Sequence, residues 1–353
     1  LPDVTKAKQP ISCITVYDSL TKNYKTFFIS EYKSEEIMLD EFCSFIKKEA
    51  PDVWLSWNVN FDYQYLHNRI KDFAKKISPI SLSRPIWKTS GRDKDIWYPA
   101  GISICDYLLM FKKVNLRENS YSLNAVAEKH LGKGKTYKNI DFSKITLNLK
   151  QRNIEDVEIM VLLENKFHIL DYFDEVRRFA KCQWEDLTHN SIILDSIFIQ
   201  EAKNAGYILP SKAITDYYDD SLEEELQGAY RRSDNGVFHN IYKADVGSMY
   251  PNQIVNFCLD PANICEKDTP NSTKIGDTYF KQDDNALIPF LSSKLMKEKD
   301  ALKKKLKEVK LGTPEHALLQ IKYDAYKGLV NSLYGVTALA SFRLYNYKVA
   351  SAI

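Results

Sequence analysis

Between residues 51 and 77 the chain changes period in mid-run. PDVWLSWN (51–58) is short, apolar and opened by a proline, as a buried strand is, and FDYQYLHNRIKDFAKKI (61–77) continues at helical spacing. A strand feeding a helix through so short a link belongs to a layered α/β arrangement. The neighbouring segments agree. ISCITVYD (11–18) and YKTFFI (24–29) read as two strands joined by a polar turn. SEEIMLDEFCSFIKKEA (34–50) is an amphipathic helix with Ile37, Leu39, Phe42, Phe45 and Ile46 on one side. A mixed sheet flanked by helices is expected next. YSLNAVAEKHLG (121–132) is a helix stopped by Gly132, and residues 149–173 form one long helix. The α/β organisation runs to about residue 175.

Beyond it, residues 184–207 read as a helical connector. A second sheet-like region runs from Gly228 to Ile288 and includes VFHNIYKADVGSMYP, in which an apolar strand delivers Asp245. Two helices follow, over 289–310 and 315–335. The turn LGTP (311–314) divides them, with Thr313 as cap and Pro314 at the first helical position, making a helical hairpin. The 353 residues suffice for two or three domains with packed cores.

Charge and cysteine content narrow the class. The net charge of +2 does not by itself mark a nucleic-acid binder. Six scattered cysteines (13, 43, 105, 182, 258, 265) form no CxxC and no zinc pattern, which fits reduced thiols and a cytoplasmic setting. No apolar run is long enough for a membrane span, and there is no signal peptide. GKGKT (132–136) lacks the opening glycine of a P-loop and follows a helix rather than a strand.

Three segments carry chemistry. In ADVGSMYPNQI (244–254), Asp245 precedes a turn, and a carboxylate so placed suits Mg²⁺ and phosphates. Alone it is more simply a turn-capping aspartate. In KGLVNSLYG (327–335), Lys327, Asn331 and Tyr334 share one helix face, where they suit a phosphate, a base edge and a stacked ring. Alone they are more simply a wet polar face. Between these two, residues 294–310 hold eight lysines against three acidic residues. Lys299 and Lys303 stand one turn apart there, opposite an apolar seam of Leu291, Leu295, Leu302, Leu306 and Val309.

Taken together, DxxSMYP followed by the lysine-rich helix and KxxxNSxYG resembles motifs A and B of the family B DNA polymerases with the first fingers helix between them. SWNVNFDYQYL (56–66) resembles the second motif of that family's proofreading exonuclease, and RNIEDVEIM (152–160) resembles the third. GISICDYLLMFKKV (101–114), NSYSLNAVAEKHLGKGK (119–135) and GAYRRS (228–233) most resemble the polymerases of T-even phages and their relatives.

The resemblance implies an α/β multidomain chain: an RNase H-like 3′–5′ exonuclease domain (1–175), a helical connector (176–227), a partial α+β palm with motif A (228–288) and a fingers helical hairpin with motif B (289–353). It implies that Asp245 binds a catalytic Mg²⁺. Ser248, Met249, Tyr250, Lys299, Lys303, Lys327 and Asn331 would hold the incoming dNTP. Tyr250 would exclude a 2′-hydroxyl, and Asn331 and Tyr334 would lie near the nascent base pair. Asp62 and Asp156 would be metal ligands of the exonuclease. Its implied partners are a DNA primer-template, dNTPs, a sliding clamp and other replisome proteins, in the host cell cytoplasm if the source is viral.

The sequence departs from that pattern in four places. Lys299 stands where the family has Arg, keeping the charge but losing the bidentate fork. The Asn58-to-Asp62 spacing is one residue short. Arg152 stands where the family has a Tyr that helps place the attacking water. Neither the DxE of the first exonuclease motif nor the second palm aspartate motif is present. With Leu1 leading into a strand and Ile353 lying inside an apolar stretch, the expectation is a fragment of a longer polymerase that alone neither polymerises nor proofreads. Two other readings remain open: a repair protein centred on the 3′–5′ nuclease, and a nucleic-acid-binding module with degenerate sites.

Overall fold

The computed structural model describes residues 3–80, 87–90, 95–114, 118–137, 140–142, 144–211, 232–267, 269–283 and 285–353. It divides into two compact units. One comprises Leu1–Leu170 with Gln183–Thr188, and the other Asp171–Cys182 with His189–Ile353. The notebook-like spans 212–227 of the connector and 228–231 of GAYRRS lie outside the described residues.

The first unit opens with an antiparallel hairpin, β1 (Cys13–Asp18) and β2 (Asn23–Phe28), in register Cys13↔Phe28 to Asp18↔Asn23. Asp18 shapes its turn by accepting from Leu20 N at 2.9 Å and Thr21 Oγ1 at 2.6 Å. Helix α1 (Glu35–Glu49) starts where the Ser34 hydroxyl accepts from Ile37 N. Acidic residues in its first turn and lysines in its last complement the helix dipole. Strand β3 (Val53–Ser56) then leads through Asn58, held in left-handed conformation at φ 69°, into α2 (Val59–Arg69).

The helix expected over 61–77 is two. Ile70 is extended and Asp72 left-handed, so the chain breaks before α3 (Phe73–Ile77), and the break lets Phe73 and Ile77 turn into the core. Strands β4 (Trp87–Ser90) and β5 (Asp95–Trp97) pair antiparallel. β6 (Ser103–Asp106) pairs in parallel with β3, ending in the register Ser56↔Asp106. In place of one mixed sheet, the described strands of this unit form three separate pairs.

Helices α4 (Tyr107–Val114), α5 (Leu123–Leu131) and α6 (Leu147–Phe167) complete the unit. Gly132 ends α5 at φ 70°, as its position suggests. The long helix expected over 149–173 is interrupted: His168 takes left-handed angles, and α7 (Ile169–Ala180) begins beyond it. The core gathers Phe27, Met38, Phe42, Ile46, Tyr63, Phe73, Ile77 and Ile104, with Trp54 packed against them. Trp54 meets the rings of Phe42, Tyr63 and Phe73 edge-on at 5.9, 6.0 and 6.3 Å. The Tyr63 hydroxyl is satisfied by donating to the Trp97 carbonyl at 2.7 Å.

In the second unit, α8 (Asn190–Ala205) buries Ile193, Leu194, Ile197 and Phe198. The buried Asp195 on it accepts from Arg343 Nε at 2.9 Å, across 148 residues of sequence. The strand expected to deliver Asp245 is absent. Residues 232–246 take no strand conformation, and Val237, Phe238, Ile241, Tyr242 and Val246 are exposed. Apolar alternation makes a strand only when a neighbour completes its ladder, and no described segment pairs with this one. Sheet structure in the region expected to be a second sheet lies further on. There β7 (Ile264–Cys265), β8 (Ser272–Ile275) and β9 (Thr278–Lys281) form an antiparallel sheet in the order β7-β9-β8.

Helix α9 (Met249–Asn256) precedes that sheet, and α10 (Leu287–Glu308) and α11 (Pro314–Thr337) follow it as the expected hairpin. Thr313 caps α11 by accepting from His316 N, with Pro314 at the first position. The buried Asp260 accepts from Ala262 N at 2.8 Å and Ile288 N at 2.9 Å, tying the start of α10 to the sheet side. The seam of α10 is buried at Leu291 and Leu295 but only half-buried at Leu302, Leu306 and Val309. A short α12 (Tyr347–Ala352) closes the unit, with Val349 packed on Leu259 and Phe280.

Candidate functional sites

In the first unit the parallel strands β3 and β6 end side by side and each is followed by a helix. Ligand sites of α/β sheets form at such carboxyl ends. Asp62 lies in the first turn of α2. It reaches solvent, but in a cleft dense with protein atoms. Its pKa is pushed up to about 6, first by burial and then by the charges of Asp106 and Asp156, while the Ser56 hydroxyl pulls it down.

Asp106 was not assigned a role from sequence. It ends β6, is 8% exposed, and caps α4 by accepting from Leu109 N at 3.0 Å. The signal available was its place in CDYLLM, where an apolar strand gives way to a helix.

Asp156 sits on α6 and is engaged by two cations. Lys135 Nζ is 2.5 Å from its Oδ1, and Arg152 Nε, one turn earlier on the same helix, is 3.4 Å away. Lys135 is itself buried. Its strap, residues 135–137, is fastened from three sides. Asn124 Oδ1 accepts from Lys135 N at 2.8 Å, Glu155 accepts from Thr136 N at 2.6 Å, and Arg152 donates to the Tyr137 carbonyl.

In the second unit the three segments singled out in the sequence converge. Ser248 adopts a left-handed conformation at φ 51° and starts α9. Lys299 Nζ, on α10, donates to Ser248 Oγ at 2.9 Å and lies 3.6 Å from Asp300. The ring of Tyr250 stacks on that of Tyr334 of α11, with centroids 4.4 Å apart and planes 17° apart. Ser292 Oγ donates to the Pro251 carbonyl at 3.3 Å, fixing α9 against α10. Asp245, Met249, Lys303, Lys327 and Asn331 are all exposed around this junction. Asp245 belongs to the irregular segment and is not held at a strand end.

Carboxylates are hard oxygen donors suited to Mg²⁺. Yet among the described residues no group of three or more His, Cys, Asp or Glu side chains gathers as it would around a metal ion. Nor is any helix among them long and apolar enough to cross a membrane.

Residues 4–126 match the model for the exonuclease domain of DNA polymerase family B, and residues 187–353 match that for DNA polymerase family B itself. The chain belongs to the family B DNA polymerases. DNA polymerase 1 of Pyrococcus abyssi is 25% identical over 342 residues, covering 92% of this chain and 44% of that protein. The DNA-directed DNA polymerase of Escherichia phage RB69 is 24% identical over 315 residues, covering 74% of this chain and 34% of its own length. The chain thus spans less than half the length of these family B relatives. The fold agrees as well: the family B DNA polymerase of Pyrobaculum calidifontis matches 100% of this chain and 47% of its own at a TM-score of 0.72 and 19% identity.

Proposed function

We propose that the chain carries the proofreading half and the nucleotide-selecting core of a replicative DNA polymerase, which adds dNTPs to a primer under template direction. The observation that carries this reading is the convergence of Ser248 and Tyr250 with Lys299 and Tyr334, four residues from three separated segments. A triphosphate needs fixed cations beside backbone N–H groups, and the turn at 247–250 beside Lys299 and Lys303 offers both. Lys327 and Asn331, exposed on α11, would contact phosphate and base edge. Tyr250, braced by Tyr334, would lie beneath the sugar and reject a 2′-hydroxyl.

Asp245 would contribute one carboxylate to Mg²⁺ shared with the triphosphate. Asp62 and Asp156 would do so for the ions of excision, with Asp106 shaping the field around Asp62. The donor sets are partial, so no catalytic step is derived through an ion. Primer-template DNA is the expected macromolecular ligand, with a sliding clamp as a further partner, in the cytoplasm of the host cell.

The test is binding of a fluorescent dNTP to this chain with and without Mg²⁺. Saturable binding that Lys299→Met weakens supports the reading. Binding untouched by Lys299→Met, Lys303→Met and Lys327→Met together would remove it.

A further inference from the structure

Arg152 is the place where the excision site differs most from its family's pattern, and the structure gives that difference a physical content. Spacing of i, i+4 on α6 sets Arg152 and Asp156 on one helix face. The Arg152 side chain is 19% exposed and acts in two directions, toward the Tyr137 carbonyl and toward Asp156 Oδ1. Lys135 occupies the same oxygen. A guanidinium cannot lose its charge at any working pH. The carboxylate expected to face a divalent ion therefore already has cationic partners, and one of them is permanent.

We propose that Arg152 is a built-in counter-ion that a divalent cation must displace from Asp156, so that it sets how much metal the excision site requires. The inference rests on the reading of Asp62 and Asp156 as the metal-facing pair. A tyrosine at position 152 would leave Asp156 with Lys135 alone. The guanidinium instead repels an approaching dication and holds the oxygen that the ion needs. Excision would then respond steeply to divalent-ion concentration, which biases the protein toward keeping an added nucleotide when metal is scarce.

The experiment titrates the 353-residue chain with Mn²⁺ and reads free ion by electron paramagnetic resonance. Arg152→Gln keeps an amide for the Tyr137 carbonyl and removes the charge; Arg152→Ala removes both. Removing a fixed charge next to a partly exposed carboxylate should tighten Mn²⁺ binding about ten-fold. Arg152→Lys should stay within about two-fold of wild type, because the charge remains. Adding Asp156→Asn to Arg152→Gln should abolish the gain, which separates this site from ions held near Asp245.

If Arg152→Gln is folded by circular dichroism yet binds Mn²⁺ no tighter, while Asp156→Asn alone weakens binding, the excision reading stands and the counter-ion proposal falls. If Asp156→Asn changes nothing in either background, Asp156 faces no metal. The excision reading then fails and the inference fails with it.

Discussion

Tyr250 and Tyr334 lie face to face, 4.4 Å between ring centroids, although one opens α9 and the other sits near the end of α11. Stacked aromatic pairs contribute beyond their buried area, and this pair joins the two segments that identify the family. A double-mutant cycle of Tyr250→Ala and Tyr334→Ala in urea should return a coupling of about 1 kcal/mol. In a polymerising form of the protein, Tyr250→Ala should also relax selection of dNTP over rNTP. Unchanged selectivity would refute the role given to Tyr250.

Lys299 and Lys303 are one turn apart on α10 but differ in surroundings. Lys299 is largely covered and bonded to Ser248, whereas Lys303 is exposed. Charge-assisted contacts formed away from water are the stronger ones. Lys299→Met should weaken dNTP binding about ten-fold and Lys303→Met about three-fold, with Lys303 the more sensitive to salt. Equal losses with equal salt dependence would contradict this assignment.

The carboxyl of Asp62 should titrate near pH 6 by carbon-13 NMR. Because the folded value lies above the unfolded one, the native state holds this proton more tightly, and stability is lost as pH rises from about 4 through 6. Asp62→Asn should therefore stabilise the protein at pH 7.5 and not at pH 4. Asp156→Asn should lower the Asp62 midpoint by removing a neighbouring negative charge. A midpoint near 4 in wild type would rule out the crowded cleft.

Phe42 is fully buried and packs edge-on against both Phe27 and Trp54. Phe42→Ala should cost about 3–5 kcal/mol of stability. Thermal unfolding followed by Trp fluorescence would measure it, and a loss below about 1 kcal/mol would mean the core repacks freely.

Legibility in the sequence followed the reach of each signal. The hairpin at 13–28, the capped α1 and the Thr313–Pro314 corner rest on local pattern and were readable. The breaks at Ile70–Asp72 and His168 were not, because apolar spacing runs on through them and only a single left-handed residue marks each turn. The strand expected before Asp245 failed for a different reason. Its alternation is real, but a ladder requires a partner that no local pattern supplies. Motif residues near 248, 299 and 334 could be named from sequence, whereas the Lys299–Ser248 bond and the Tyr250–Tyr334 stack could not. Asp106 was missed because its influence on Asp62 runs through space, from the neighbouring strand.

The bond between Arg343 and Asp195 bears on how the protein is made. It links α8 to a residue 148 positions later. Closing so long a loop is entropically costly and tends to come late in folding. A ribosome adding about 5–20 residues per second leaves α8 waiting several seconds before Arg343 exists. The first unit can mature during that delay, while the second stays open until its own distant arginine arrives. Chaperone demand should accordingly peak while residues 190–343 are being synthesised.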